Sequence, residues 1–125
     1  DVVDPKTGKT VAGMRSGSTL MWMKGGKTRS AIRSNTVIGV IATNAKLTKA
    51  QATKVAQMAQ DGIAQTIRPA HTMFDGDTIF TLSTGREKAD ISTIGAFAAE
   101  VMAEAIVRAV KMSGSAGGLV GLRNA

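Results

Sequence analysis

A layered α/β architecture follows from three features of this 125-residue chain. Residues 36–43, "TVIGVIAT", are apolar on both faces when laid out as a strand. Val37, Gly39 and Ile41 point one way, and Ile38, Val40 and Ala42 point the other. A strand of that kind belongs between two packed layers. A long helical stripe follows it, and the pair then repeats as a second strand and a second long helix. Two strands and two helices make a layer, not a closed sheet. Strands from elsewhere are expected to finish it.

The first 12 residues, "DVVDPKTGKTVA", suggest a loop that turns at Pro5 to Gly8. Its "TGKT" invites a phosphate-loop reading, which fails because Val3 stands where that pattern needs a glycine. Leu20 to Met23 form a short apolar patch, expected as a strand or a lid. Residues 24–34 hold glycine pairs and scattered cations, which bury little, so a mobile connection is expected there.

The first long helix is the most strongly signalled element. Thr48 and Gln51 have the spacing of a capping box, and Leu47 is placed to staple against Ala52. Val55, Met58, Ala59, Gly62, Ile63 and Ile67 form its apolar stripe, and Arg68–Pro69 ends it. Asp75–Gly76–Asp77 predicts a turn, and residues 78–84 predict the second strand. Residues 85–88 suggest a polar loop. In the second helix Ile94, Phe97, Ala98, Val101, Met102, Ala105 and Ala109 are expected to share the packed face, with Ser113–Gly114 as the stop. The glycine-rich tail is expected extended along a neighbour or loose.

Composition narrows the function classes. Hydrophobic residues make up 43%, but aromatics only 3%, so the core must be built from small and aliphatic side chains. That scarcity, and a first residue that is not Met, lead to the expectation of a processed or truncated piece of a longer chain. There is no cysteine, which excludes disulfides, thiolate nucleophiles and zinc–thiolate sites. Apolar runs are too short to span a bilayer, and no secretory-signal pattern opens the chain. A cytoplasmic location without membrane association is the expectation.

Net charge is +7 and unevenly placed. Residues 1–35 carry seven Lys/Arg against two Asp; residues 36–125 carry nine against seven Asp/Glu. A nucleic-acid arm is one reading of the basic part. With Trp22 as its single aromatic, a solvated loop explains it better, and a basic binding module stays the non-enzyme alternative.

The excess charge stops at the border between Asn35 and Thr36. Thr36 is a hydroxyl nucleophile at the start of a buried strand. Were the Asn35–Thr36 bond cut, its own α-amine, with an ordinary pKa of about 8, would be placed to take the hydroxyl proton. No histidine is then required. His71, the only one, fits an ordinary loop residue. Asp75 and Asp77, two apart in an extended segment, share a side and would be placed to orient Thr36. The same spacing also suits an ordinary Asx turn, and two carboxylates are too few for a calcium site. Trp22, Met14, Met21 and Met23 suggest packing, or the lining of a groove.

From residue 35 to residue 85, "NTVIGVIATNAKLTKAQATKVAQMAQDGIAQTIRPAHTMFDGDTIFTLSTG" and its Asn-Thr junction resemble the carboxy-terminal part of the DmpA-type N-terminal-nucleophile hydrolases. That group includes aminopeptidases and hydrolases of 6-aminohexanoate (nylon-6) oligomers, and Asn-Thr in place of Gly-Ser resembles the latter more. The resemblance is less distinctive from residue 90 onward and weakest before residue 31. It implies an αββα sandwich, of which this chain supplies strands and helices completed by a larger N-terminal part. It implies a precursor that cuts itself between Asn35 and Thr36, so that residues 1–35 end one part and 36–125 form the nucleophile-bearing subunit. Thr36 would then be the nucleophile, with Asp75 and Asp77 in support. An oligoamide substrate, homo-oligomeric assembly and the absence of any metal or cofactor are implied with it.

Overall fold

A computed structural model describes residues 1–14, 17–26 and 36–124. Strand β1 (Val2–Val3), strand β2 (Thr10–Ala12) and the short helix α1 (Thr19–Lys24) come first. Strand β3 (Ile38–Ala45), helix α2 (Lys49–Thr66), strand β4 (Thr78–Glu87) and helix α3 (Ile91–Lys111) form the body, followed by a 3-10 turn at Leu122–Asn124. Asn35, and most of the stretch expected to be mobile, lie outside the described residues. Among the described residues no helix is long and apolar enough to cross a membrane.

The chain is α/β. Strands β3 and β4 pair in parallel, from Ile38 opposite Thr78 to Thr43 opposite Ser83. Parallel neighbours need a crossover, and α2 supplies it. Its start is fixed by the capping box: the Gln51 N–H donates to Thr48 Oγ1 at 3.3 Å and the Thr48 N–H donates to Gln51 Oε1 at 2.9 Å. Helix α3 starts on Asp90, whose Oδ2 accepts from the Thr93 N–H at 2.7 Å and its hydroxyl at 2.9 Å. These two bonds hold the Asp90 carboxyl below the usual carboxylate range.

Both helices pack on one face of the strand pair. Val55, Ala59 and Ile63 from α2 meet Ile79 from β4, and Ala98 and Met102 from α3. Val55 and Ile63 are fully buried. Each such side chain contributes about 1.5–3 kcal/mol of transfer free energy, so this cluster is the anchor of the fold. The other face of the strands is bare. Ile38, Val40, Phe80 and Leu82 are 71%, 55%, 55% and 60% exposed. The strands are therefore apolar on both faces, as expected, but the described residues cover only one.

Several expected elements differ. The opening segment is not a plain loop: β1 and β2 pair antiparallel, and the hairpin abuts the end of α2 through a bridge between Val2 and Ile67. The apolar patch near Trp22 is helical, because Ser18 caps α1 by accepting the Met21 N–H at 3.2 Å. Strand β4 runs on through the expected polar loop to Glu87, whose carbonyl accepts the Lys46 N–H at 2.7 Å. Backbone pairing is indifferent to side-chain polarity at an exposed strand end. The tail folds back on itself, with the Arg123 N–H on the Ser113 carbonyl at 3.0 Å.

The packed face of α3 is the largest correction. Gly95, Ala98, Ala99, Met102, Ala103 and Val107 are buried, while Phe97 and Val101 are 62% and 55% exposed. Size decided this, not hydrophobicity. At Gly62 the helices come so close that a Cβ there would stand 2.8 Å from Met102 Cβ and 3.0 Å from the Ala103 nitrogen. Only small residues fit such a crossing, so the alanine stripe faces α2 and the larger side chains turn outward.

Candidate active site

Thr36 lies just before β3 and is exposed. Its position follows from the parallel pair. The Thr78 N–H donates to the Val37 carbonyl at 2.9 Å, and the Val37 N–H donates to Asp77 Oδ1 at 2.9 Å. Both polar groups of the residue after Thr36 are thus held by the start of β4. The Asp77 side chain is only 7% exposed, so its bond to Val37 is a charge-assisted one shielded from water.

Gly76 completes the contact. A Cβ at this position would stand 2.9 Å from Thr36 Oγ1 and 3.7 Å from Thr36 Cγ2. Thr36 therefore rests its side chain over the hydrogen of Gly76. The aspartate–glycine–aspartate run brings backbone to the hydroxyl.

The expected turn falls slightly earlier than Asp75–Gly76–Asp77. The Asp75 N–H donates to the Thr72 carbonyl at 3.1 Å, and the Thr72 N–H donates to Asp75 Oδ2 at 2.7 Å. Thr72 and Asp75 close a turn around Met73 and Phe74, leaving Gly76 and Asp77 to run into β4. Neither aspartate makes its hydrogen bond to Thr36: Asp75 bonds Thr72 and Asp77 bonds Val37. Both nevertheless line one cavity of about 140 Å³, together with Val37, Ile67, Pro69 and Thr72.

Two further residues belong to this site. By sequence Gly76 is turn punctuation between the aspartates, and only the nearness of Thr36 gives it a role. His71, by sequence an ordinary loop residue, is the other. Its Nδ1 lies 3.9 Å from Asp77 Oδ2, the oxygen that Val37 leaves free.

Chemically, the arrangement offers a hydroxyl at a strand start, a backbone fixed directly behind it, and a cavity lined by Val37 and by the carboxylates of Asp1, Asp75 and Asp77. Comparison with known proteins gives that arrangement a context. A protein from Mycobacterium leprae named an uncharacterized aminopeptidase is 43% identical over 68% of this chain and 28% of its own length. A Mycobacterium tuberculosis protein with the same kind of name is 42% identical over 61% of this chain and 26% of its own. The 6-aminohexanoate-oligomer endohydrolase of a Kocuria strain is 31% identical over 62% of this chain and 25% of its own. The chain thus spans about a quarter of the length of the curated relatives it matches. Identity is higher to the proteins named aminopeptidases than to the endohydrolase, against the order the Asn-Thr junction suggested. Residues 5–123 match peptidase family S58, and the resemblance seen around Asn35, Thr36 and the aspartate pair is borne out at that level: the chain belongs to peptidase family S58.

Proposed function

We propose that the chain comes from an N-terminal-nucleophile amide hydrolase whose nucleophile-bearing part, residues 36–125, is released by self-cleavage between Asn35 and Thr36. The observation that carries this reading is the seat of Thr36: its hydroxyl on Gly76, and the backbone behind it tied to Asp77. In the precursor Thr36 Oγ attacks the Asn35 carbonyl, the acyl group shifts from nitrogen to oxygen, and water opens the ester. The freed α-amine then takes the hydroxyl proton as Thr36 Oγ attacks the substrate amide carbon. The amine leaving group takes that proton, an ester to Thr36 forms, and water activated by the same amine hydrolyses it. Asp77 keeps the backbone of the nucleophile in place throughout, and Asp75 holds the turn that presents Gly76.

The rest of the precursor is proposed to cover the bare face of β3 and β4 and to supply the oxyanion donors. Assembly into a homo-oligomer belongs to the same reading. For substrate, an aminopeptidase or amidase is favoured by the more identical relatives. Hydrolysis of 6-aminohexanoate oligomers is the second reading, favoured by the Asn-Thr junction and the endohydrolase relatives.

Mass spectrometry of full-length protein tests the nucleophile. A fragment beginning at Thr36 is expected from the wild type and from Thr36→Ser, and a single uncut, inactive chain from Thr36→Ala. Efficient cutting of Thr36→Ala would remove the mechanism. Turnover of amino-acid amides against 6-aminohexanoate oligomers separates the two substrate readings.

A further inference from the structure

We propose that His71 is a positioning residue for the nucleophile, acting through Asp77. The inference rests on Thr36 being that nucleophile and adds a residue to its support. Asp77 has two carboxylate oxygens with different duties. Oδ1 accepts the Val37 N–H at 2.9 Å, and Oδ2 faces His71 Nδ1 at 3.9 Å. The second distance is too long for a hydrogen bond but within ion-pair range. Contacts of this kind are often loose in a free site and tighten when substrate closes it. The His71 side chain is 44% exposed, so its ring has room to turn inward, while Asp77 is held at 7%.

The backbone supports the same reading. His71 has φ +56°, the one positive value at a non-glycine position among the described residues. Non-glycine residues adopt that conformation uncommonly, asparagine, aspartate and histidine more often than the rest. A residue whose only duty was to let the chain turn would be served better by glycine or asparagine. The turn closed by Thr72 and Asp75 sets His71 at one end and Asp77 just past the other, which brings the ring over the carboxylate. With Nδ1–H directed at Oδ2, the carboxylate plane is fixed, and Oδ1 keeps its line to the amide behind Thr36. The histidine touches neither substrate nor hydroxyl. It restrains the group that restrains the nucleophile.

Two variants of the full-length enzyme separate ring from backbone. His71→Gly and His71→Asn both suit the left-handed conformation, so each retains the turn. Both are expected to lower kcat about tenfold with KM nearly unchanged, since outer partners of site groups are typically worth ten- to a hundredfold. Imidazole added to His71→Gly is expected to restore part of the lost rate, the exposed position leaving it a way in. The same imidazole is expected to do nothing for Asp77→Asn, and His71→Gly in that background should add little further loss. Wild-type turnover in both histidine variants overturns the proposal. So does a loss that imidazole leaves untouched while the melting temperature falls, which would make His71 structural. Activity in Thr36→Ala would instead sink the underlying assignment of the nucleophile, so the two failures are told apart.

Discussion

Asp77 Oδ1 accepts the Val37 N–H at 2.9 Å, across the mouth of the parallel strand pair. This bond reaches the peptide immediately after Thr36. The Val37 carbonyl is held as well, by the Thr78 N–H. A hydroxyl nucleophile is useful only if it returns to one place, and a displacement of about an ångström is worth about a hundredfold in rate. Two bonds to the neighbouring residue give that constancy without touching the hydroxyl itself.

The two aspartates are therefore expected to differ. Asp77→Asn keeps an acceptor for Val37 but loses the charge, and turnover should fall about tenfold or more. Asp77→Ala leaves the Val37 N–H without a partner, at about 1–3 kcal/mol, and should be worse. Asp75→Asn keeps the acceptor for the Thr72 N–H and should be milder than Asp77→Asn. Steady-state rates of the three variants, with melting temperatures, check the order. A larger loss from Asp75→Asn than from Asp77→Asn would reverse the roles given to them.

A second expectation concerns acid. The Thr93 N–H and hydroxyl depress the Asp90 carboxyl, so its folded-state value lies below its unfolded one. The stabilisation from this cap is complete above the unfolded value and is lost as pH falls through the folded one. Asp90→Asn retains a good capping residue but does not titrate. Melting temperatures measured from neutral pH down into the carboxylate range should converge for the two proteins at the acid end. A gap that stays constant across the range would mean the charge adds nothing to the cap.

Much of this fold could be derived from local signals. Thr48 and Gln51 mark the start of α2, and the both-sided apolarity of β3 announces layers on two faces. What could not be derived depends on partners distant in sequence. The crossing at Gly62 selects small residues, so Ala99 and Ala103 are buried while Phe97 is not. Counting apolar residues on a helical wheel ranks Phe97 first and misses this. At the site, Thr36, Asp75 and Asp77 stood out by chemistry. The roles of Gly76 and His71 exist only across the gap between two strands, and no spacing rule reaches over 35 or 40 residues.

The bare strand face leads to an expectation for assembly. Ile38, Val40, Phe80 and Leu82 form a contiguous apolar surface that a folded protein rarely leaves to water. If the rest of the precursor covers it, Phe80→Glu in the full-length protein should bury an unpaired charge there. The expected result is an aggregated or uncut precursor with little activity. The helix-packed core lies on the opposite face, so Gln57→Glu, at an exposed polar position of α2 away from the bare strand face, serves as the control for added charge. Normal cutting and solubility in Phe80→Glu would show the face to be open in the whole protein.

Gly76 gives the sharpest separation of function from stability. A Cβ there would stand 2.9 Å from Thr36 Oγ1, nearer than a carbon and an oxygen comfortably approach. Something must yield in Gly76→Ala. The strand start is held by the Val37 and Thr78 bonds, so the softest element is the Thr36 side chain. Being β-branched, it has few rotamers to choose from, and leaving the present one carries Oγ1 away from where it now points. The backbone at Gly76 is not in the left-handed region, so alanine meets no conformational penalty of its own. It would also reduce the freedom of the unfolded chain, a small gain in stability. Gly76→Ala is therefore expected to melt at or slightly above the wild-type temperature while turnover falls, by about a hundredfold if the hydroxyl moves by about an ångström. Precursor cutting should slow in parallel, since the proposed mechanism gives both steps to the same hydroxyl. KM should change little, because the alanine methyl group points at Thr36, and neither residue 76 nor Thr36 lines the cavity. Unchanged turnover in a well-folded Gly76→Ala would mean that the position of Thr36 Oγ1 seen here is not the reactive one.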